Sequence, residues 1–292
     1  VSPLAPGDDP AQREMPPRER RKPRRRGMYL LPSLFTAGNI AAGYYAITQS
    51  LQGSMHEPQH FDFAALAILF AIPFDALDGR IARMTNTVSD FGKELDSLAD
   101  VITFGVAPSI LAFTWGFRQL LPTMDHLTRQ KLIEAGGFLC FLFLLCGASR
   151  LARFNISHDP LPKNPGRPDR KYFVGMPIPA AAGLLAAVVH LVKGNPVFNL
   201  WLALAWMAVV GMAGFLMVST WRFWSGKEIT LTGRHPFQLI VLFGVLIYAL
   251  VAYSRELLFV CWFAYMFSGI GARFAYSWQR RKRKSLHPNP AS

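Results

Sequence analysis

The sequence predicts an all-α integral membrane protein, a bundle of about eight transmembrane helices. Three observations carry that prediction. The 292-residue chain is 51% hydrophobic and only 17% charged. From Leu30 to Tyr276 it is a train of apolar segments of roughly twenty residues, the length at which a helix crosses a bilayer core. The basic residues, 31 Lys and Arg against 18 Asp and Glu, gather between alternate segments rather than spreading along the chain. A net charge of +13 invites an anionic partner. The apolar content argues against a soluble nucleic-acid binder, so no nucleic acid is expected. It also excludes disorder for the bulk of the chain. Cys140, Cys146 and Cys261 lie in apolar runs without metal-ligand spacing, so they read as small buried hydrophobes and not as a disulfide scaffold.

The segments fall at about 28–50, 61–82, 96–117, 134–154, 175–193, 200–221, 237–253 and 257–276. A soluble helical core is a poor alternative, because a soluble helix needs a polar face and 200–218 has none. Residues 1–27 are basic, Pro-rich and without apolar periodicity, which predicts a disordered tail. No short apolar stretch with a small-residue cleavage site precedes the first segment, so a cleavable signal peptide is not expected. Residues 277–292 form a second basic tail.

Charge sets the orientation. With the N-terminus in the cytoplasm, the tail, the loops after segments 2, 4 and 6 and the C-terminal end hold most of the basic residues. Only Arg118, Arg129, Lys131, Lys193 and Arg255 fall on the other side. That asymmetry is the positive-inside pattern, and an even number of spans brings both basic tails to the same face. Clustered Lys and Arg beside a membrane also attract anionic lipid headgroups, so membrane lipids are expected partners. Trp115, Trp201, Trp221 and Trp224 sit near span ends, where an interfacial aromatic belt accounts for them. His126, His158 and His190 are isolated, with no ligand-spaced pair among them.

The exception to the basic character is the stretch from Asp75 to Asp100. It holds six acids (Asp75, Asp78, Asp90, Glu94, Asp96 and Asp100) against the three bases Arg80, Arg83 and Lys93. At about 100° per residue, Asp75, Asp78, Gly79 and Ala82 share one helix face. Gly92, Asp96 and Asp100, at i, i+4 and i+8, share one face of the next helix. A short connection makes the two helices antiparallel neighbours, so four carboxylates converge near the cytoplasmic interface. Converging carboxylates in a partly dry site repel one another and need cations to stay ionised together. Oxygen ligands select a hard divalent ion, Mg²⁺ or Mn²⁺, whose shell is completed by water and substrate phosphates. Intramembrane acids also line the ion and proton pathways of transporters. On spacing alone a metal-dependent enzyme of a phosphate-bearing substrate and a cation transporter both stand.

These residues read Asp75-x-x-Asp78-Gly79-x-x-Ala82-Arg83, then eight residues, then Gly92-x-x-x-Asp96-x-x-x-Asp100. The pattern resembles the signature of the CDP-alcohol phosphatidyltransferase family at all eight fixed positions. The resemblance implies a bundle of six core helices, usually dimeric, whose members displace CMP from a CDP-linked lipid with an alcohol. It assigns residues 28–222 to that core and leaves 223–276 as two additional helices, which lack acids except Glu256 and so read as peripheral, at a dimer or lipid contact. It further implies that Asp75, Asp78, Asp96 and Asp100 face a pair of divalent cations. Asp78, Gly79, Ala82, Arg83, Gly92 and Thr36 would contact the CDP moiety, and Asp100 would be the general base. An aspartate-rich membrane prenyltransferase fits less well, since its acidic motifs lie far apart in sequence.

Three further stretches are similar to the integral-membrane subfamily that makes phosphatidylserine. They are Leu31-Pro32-Ser33 through Thr36 to Asn39, then Ser149-Arg150 through Arg153 to Asn155, then Tyr172 through Gly175, Pro177 and Pro179 to Gly183. The implied substrates are CDP-diacylglycerol and L-serine, with Arg150, Arg153 and Asn155 near the serine or the lipid phosphate. Guanidinium groups suit a carboxylate or phosphate because they bind it bidentately. Gly175, Pro177 and Pro179 read as structural, setting the start of the fifth segment. Ser33 stands where the family often has Asn, and Ile178 where the subfamily often has Ser. Inositol phosphate, glycerol phosphate and choline are the rival alcohols.

Overall fold

The computed structural model describes residues 30–84, 90–120, 125–156, 172–197, 199–224 and 252–286, with a few residues between 244 and 249. Helix α1 (Leu30–Gln52) is followed by α2 (Gln59–Met84), α3 (Asp90–Asp100), the π-helical stretch π1 (Val101–Val106), α4 (Ala107–Phe113) and a second π-helical stretch, π2 (Thr114–Arg118). Then come α5 (His126–Ile156), strand β1 (Tyr172–Val174), α6 (Ile178–Leu191), α7 (Leu200–Val218), strand β2 (Arg222–Trp224) and α8 (Ser254–Leu286). The protein is an all-α membrane protein. Among the described residues, four stretches are long and apolar enough to cross a membrane by length and composition: Gln59–Leu77, Phe91–Arg118, His126–Ile156 and Leu200–Val218.

The first six predicted segments coincide with described helices, although α6 is shorter than 175–193. Its start is fixed by Gly175, at φ 78°, and by Pro177, an extended cap residue at φ −58° and ψ 143°, with Pro179 in the first turn. Proline suits that turn because its missing N–H has no helical partner there. A Cβ on Gly175 would lie 2.5 Å from the Met217 carbonyl oxygen, so the chain passes α7 too closely for any side chain. The left-handed residues Lys193 and Gly194 follow the helix end. The seventh predicted segment, 237–253, lies mostly outside the described residues, and α8 covers the eighth.

Helices α1 and α2 are antiparallel neighbours joined by six residues. Gln49 Oε1 meets His60 Nδ1 at 2.7 Å near the connection, and the Phe35 and Phe74 rings lie 6.3 Å apart at the far end. Small residues govern the close packing elsewhere. Ala180, Ala181, Ala182, Ala186 and Ala187 of α6 are buried, which lets neighbouring helices approach. Polar bonds lock the interior. Ser109 Oγ donates to the Cys140 carbonyl at 3.1 Å, and Trp206 Nε1 donates to the Ala112 carbonyl at 3.0 Å. Asn199 caps α7 by accepting from the Leu202 N–H at 2.8 Å.

Three readings from sequence are corrected by this packing. Trp115 is not a belt residue: it is buried, donates to the carbonyls of Gly194 and Asn195, and packs edge-on against Trp206 at 4.8 Å. Cys261 is exposed rather than buried. Helix α8 is not peripheral, because Met266 is buried, Trp262 packs on Gly183 of α6, and Gly269 packs on the buried Phe223 of β2. Strand β2 in turn pairs antiparallel with β1, with Phe173 opposite Phe223.

Candidate active site

The site is built at one end of α2, α3 and α5. The carboxylates of Asp75 on α2 and of Asp96 and Asp100 on α3 each offer an oxygen within 4.8 Å of the others, and all three residues are half-buried. Two features place them. Asp96 and Asp100 are one helical turn apart, and Pro73 interrupts α2 two residues before Asp75. Proline cannot donate to the carbonyl four residues back, so α2 loses one internal bond next to the cluster. Immediately after Asp100 the helix widens into π1, an irregularity often found at functional sites.

Helix α1 backs this corner. Thr103 of π1 donates its hydroxyl to the Asn39 carbonyl at 2.9 Å. A Cβ on Gly43 would lie 2.6 Å from Thr103 Oγ1 and 2.9 Å from Thr103 Cα, so only glycine permits this contact between α1 and π1. Thr36, one turn before Asn39, is buried. Gly92 is half-buried on the first turn of α3. The side chains of Asp78, Gly79, Ala82 and Arg83 lie outside the described residues, although α2 runs through all four.

Helix α5 supplies the cationic wall. Arg150 is half-buried, with a fully enclosed Nε, and lies within electrostatic reach of Asp100, Arg153 and Tyr265. Arg153 and Asn155 are exposed on the last turns of α5. Asn155 Nδ2 donates to Ser97 Oγ at 2.9 Å, which ties the end of α5 to α3 between Asp96 and Asp100. One residue near this corner escapes a reading of the sequence. Tyr265 comes from α8, and no acidic or spacing signal marks it. Asn39, the last residue of the Leu31–Asn39 stretch singled out in the sequence, is buried in α1.

A divalent cation suits this donor set. Three carboxylates at such separations repel one another unless a positive charge lies between them, and Asp100 Oδ1 is buried without a hydrogen-bond partner. Oxygen-only ligation fits a hard ion.

The chain belongs to the CDP-alcohol phosphatidyltransferase family, whose model it matches over residues 29–207. Strand β2 and α8 therefore lie beyond the matched segment. The chain is similar to the CDP-diacylglycerol–serine O-phosphatidyltransferase of Helicobacter pylori, 34% identical over 236 residues, which are 79% of this chain and 84% of that protein. It is similar to the protein of the same name from Bacillus subtilis, 35% identical over 199 residues, 67% of this chain and 90% of the relative. The yeast protein of that name is 36% identical over 162 residues, 55% of this chain, and the match spans about half (54%) of the yeast protein's length.

Proposed function

We propose that this protein transfers the phosphatidyl group of CDP-diacylglycerol to the hydroxyl of L-serine, giving phosphatidylserine and CMP. The observation that carries the proposal is the meeting of Asp75, Asp96 and Asp100 within 4.8 Å, in a chain of this family. The choice of serine is supported by the names of the relatives and by Arg150 beside Asp100.

Asp75, Asp78, Asp96 and Asp100 are the residues that would hold two divalent cations, Mg²⁺ or Mn²⁺. Bound there, the ions supply charge neutralisation for the pyrophosphate and the departing CMP. The chain's own residues do the rest. An alcohol is a weak nucleophile at neutral pH, so Asp100 takes the hydroxyl proton as the serine oxygen bonds to the phosphatidyl phosphorus. The bond from that phosphorus to the CMP oxygen breaks, and CMP leaves. Arg83 offsets the charge that develops on the leaving group. Asp78, Gly79, Ala82, Gly92 and Thr36 seat the nucleotide. Arg150 and Arg153 hold the serine carboxylate or the lipid phosphate, and Asn155 positions the end of α5 through Ser97. The site and both termini face the cytoplasm, where water-soluble serine and CMP exchange, and the protein works as a homodimer.

The test is CMP release by purified protein supplied with CDP-diacylglycerol and Mn²⁺. Release that depends on L-serine supports the proposal. Release with inositol phosphate or glycerol phosphate but not serine overturns the choice of alcohol. Metal transport in vesicles without any CMP release overturns the enzyme itself.

A further inference from the structure

Asn39 is 2% exposed, and neither its Oδ1 nor its Nδ2 has a hydrogen-bond partner. A buried amide left unpaired on both atoms costs stability that an apolar side chain of similar size avoids. Its position relative to the carboxylates follows from two registers. In the antiparallel pair α1–α2, Gln49 meets His60 and Phe35 meets Phe74, which sets Asn39 level with Phe70. Between α1 and π1, Gly43 lies against the Thr103 backbone, and the Asn39 carbonyl, which points along α1 toward Gly43, accepts from the Thr103 hydroxyl; this sets Asn39 level with Asp100. Asn39 therefore sits level with Asp100 and about 7–8 Å along the bundle from Asp75. It is on the opposite side of Asp75 from Asp78–Arg83, the end of α2 that seats the nucleotide. A ligand that reaches Asn39 approaches Asp100 from the acceptor's side.

We infer that the Asn39 carboxamide accepts a hydrogen bond from the ammonium group of the acceptor and so selects an amino alcohol; this rests on the reaction proposed above. The chemistry of the corner assigns the roles. Asp100 Oδ1, buried and unpaired, receives the hydroxyl. Arg150, with its enclosed Nε, suits the acceptor's carboxylate. An ammonium is repelled by divalent cations and guanidinium groups, whereas Asn39 Oδ1 is an uncharged, buried and unpaired acceptor. Hydroxyl and ammonium of serine are on adjacent carbons, a separation that lets one molecule reach between Asp100 and Asn39.

The experiment compares Asn39→Leu and Asn39→Ser with the unsubstituted protein. The acceptors are L-serine and 3-hydroxypropanoate, which keeps the hydroxyl and carboxylate but lacks the ammonium. The expected result is a fall of about 10- to 100-fold in kcat/KM for serine, the size of a lost hydrogen bond to a charged group. The value for 3-hydroxypropanoate and the KM for CDP-diacylglycerol change less than about twofold, and Asn39→Leu unfolds at the same or a higher temperature. Equal losses with both acceptors, a raised KM for CDP-diacylglycerol, or unchanged serine kinetics overturn the inference. An unsubstituted protein with no serine-dependent CMP release overturns the reaction on which it rests, and is told apart by that control.

Discussion

Asp62 and His190, 128 residues apart in sequence, meet at 2.6 Å, the carboxylate accepting from Nδ1. The other ring nitrogen of His190 lies 3.2 Å from Ser254 Oγ, so one imidazole joins α2, α6 and α8. Asp62 precedes Asp75 on α2 by thirteen residues, which places this junction about 20 Å from the carboxylate cluster. It holds α8, which lies beyond the family-matched segment, against the core at the end of the bundle away from the chemistry. Replacing His190 by Ala leaves the mostly buried Asp62 unpaired. The expected cost is about 1–3 kcal/mol, read as a lower unfolding temperature in detergent with little change in the KM for either substrate.

The carboxylate cluster makes a prediction that separates binding from folding. Without bound cations, Asp75, Asp96 and Asp100 repel one another. Asp96→Asn relieves part of that repulsion, so the metal-free variant unfolds at an equal or higher temperature than the unsubstituted protein. Mn²⁺ at 100 times its Kd stabilises the unsubstituted protein by about 2.7 kcal/mol. The same concentration gives the variant a much smaller increment. Thermal scans with and without Mn²⁺ check both halves.

Gly43 and Thr103 make a steric prediction. A methyl group at Gly43 meets the backbone of Thr103, three residues beyond Asp100, and backbone cannot turn aside as a flexible side chain can. Gly43→Ala therefore pushes α1 away from π1 and costs about 1–3 kcal/mol in stability, as overpacking does. It also lowers kcat, because Asp100 moves with π1. Unfolding temperature and kcat measured on one preparation test the pair of effects.

Arg150 tests the cationic wall. It is enclosed on α5 and faces Asp100 and Tyr265. Lysine keeps the charge but loses the planar fork. Arg150→Lys is expected to raise the KM for serine by about tenfold or more, the size of one charge-assisted hydrogen bond. A lysine variant with unchanged kinetics would leave a diffuse electrostatic role for this residue.

Much of this was legible in the sequence because it rests on local spacing. Apolar runs of bilayer length gave the helices, and the i, i+4 spacing of Asp96 and Asp100 gave one side of the cluster. What was not legible depends on contacts between distant segments. Trp115 looks like an interfacial residue until Gly194 and Asn195 come round to accept its N–H. His190 looks solitary until Asp62 and Ser254 reach it from other helices. Asn39 closes a stretch that resembles the subfamily, but only the register of α1 against π1 puts it level with Asp100. The π-helical widening after Asp100 likewise has no periodic signal, since its residues are as apolar as those of the α-helix that follows.

The central claim is that Asp100 takes the proton from the attacking alcohol, and Asp100→Asn tests it most directly. Asparagine keeps the size and polarity of the side chain but cannot act as a carboxylate base. The decisive measurement pairs CDP-diacylglycerol binding with serine-dependent CMP release for this variant in Mn²⁺. The expected result is retained binding of the CDP-lipid with turnover reduced by about 10² or more, the scale of general-base catalysis. Turnover near the rate of the unsubstituted protein would contradict it.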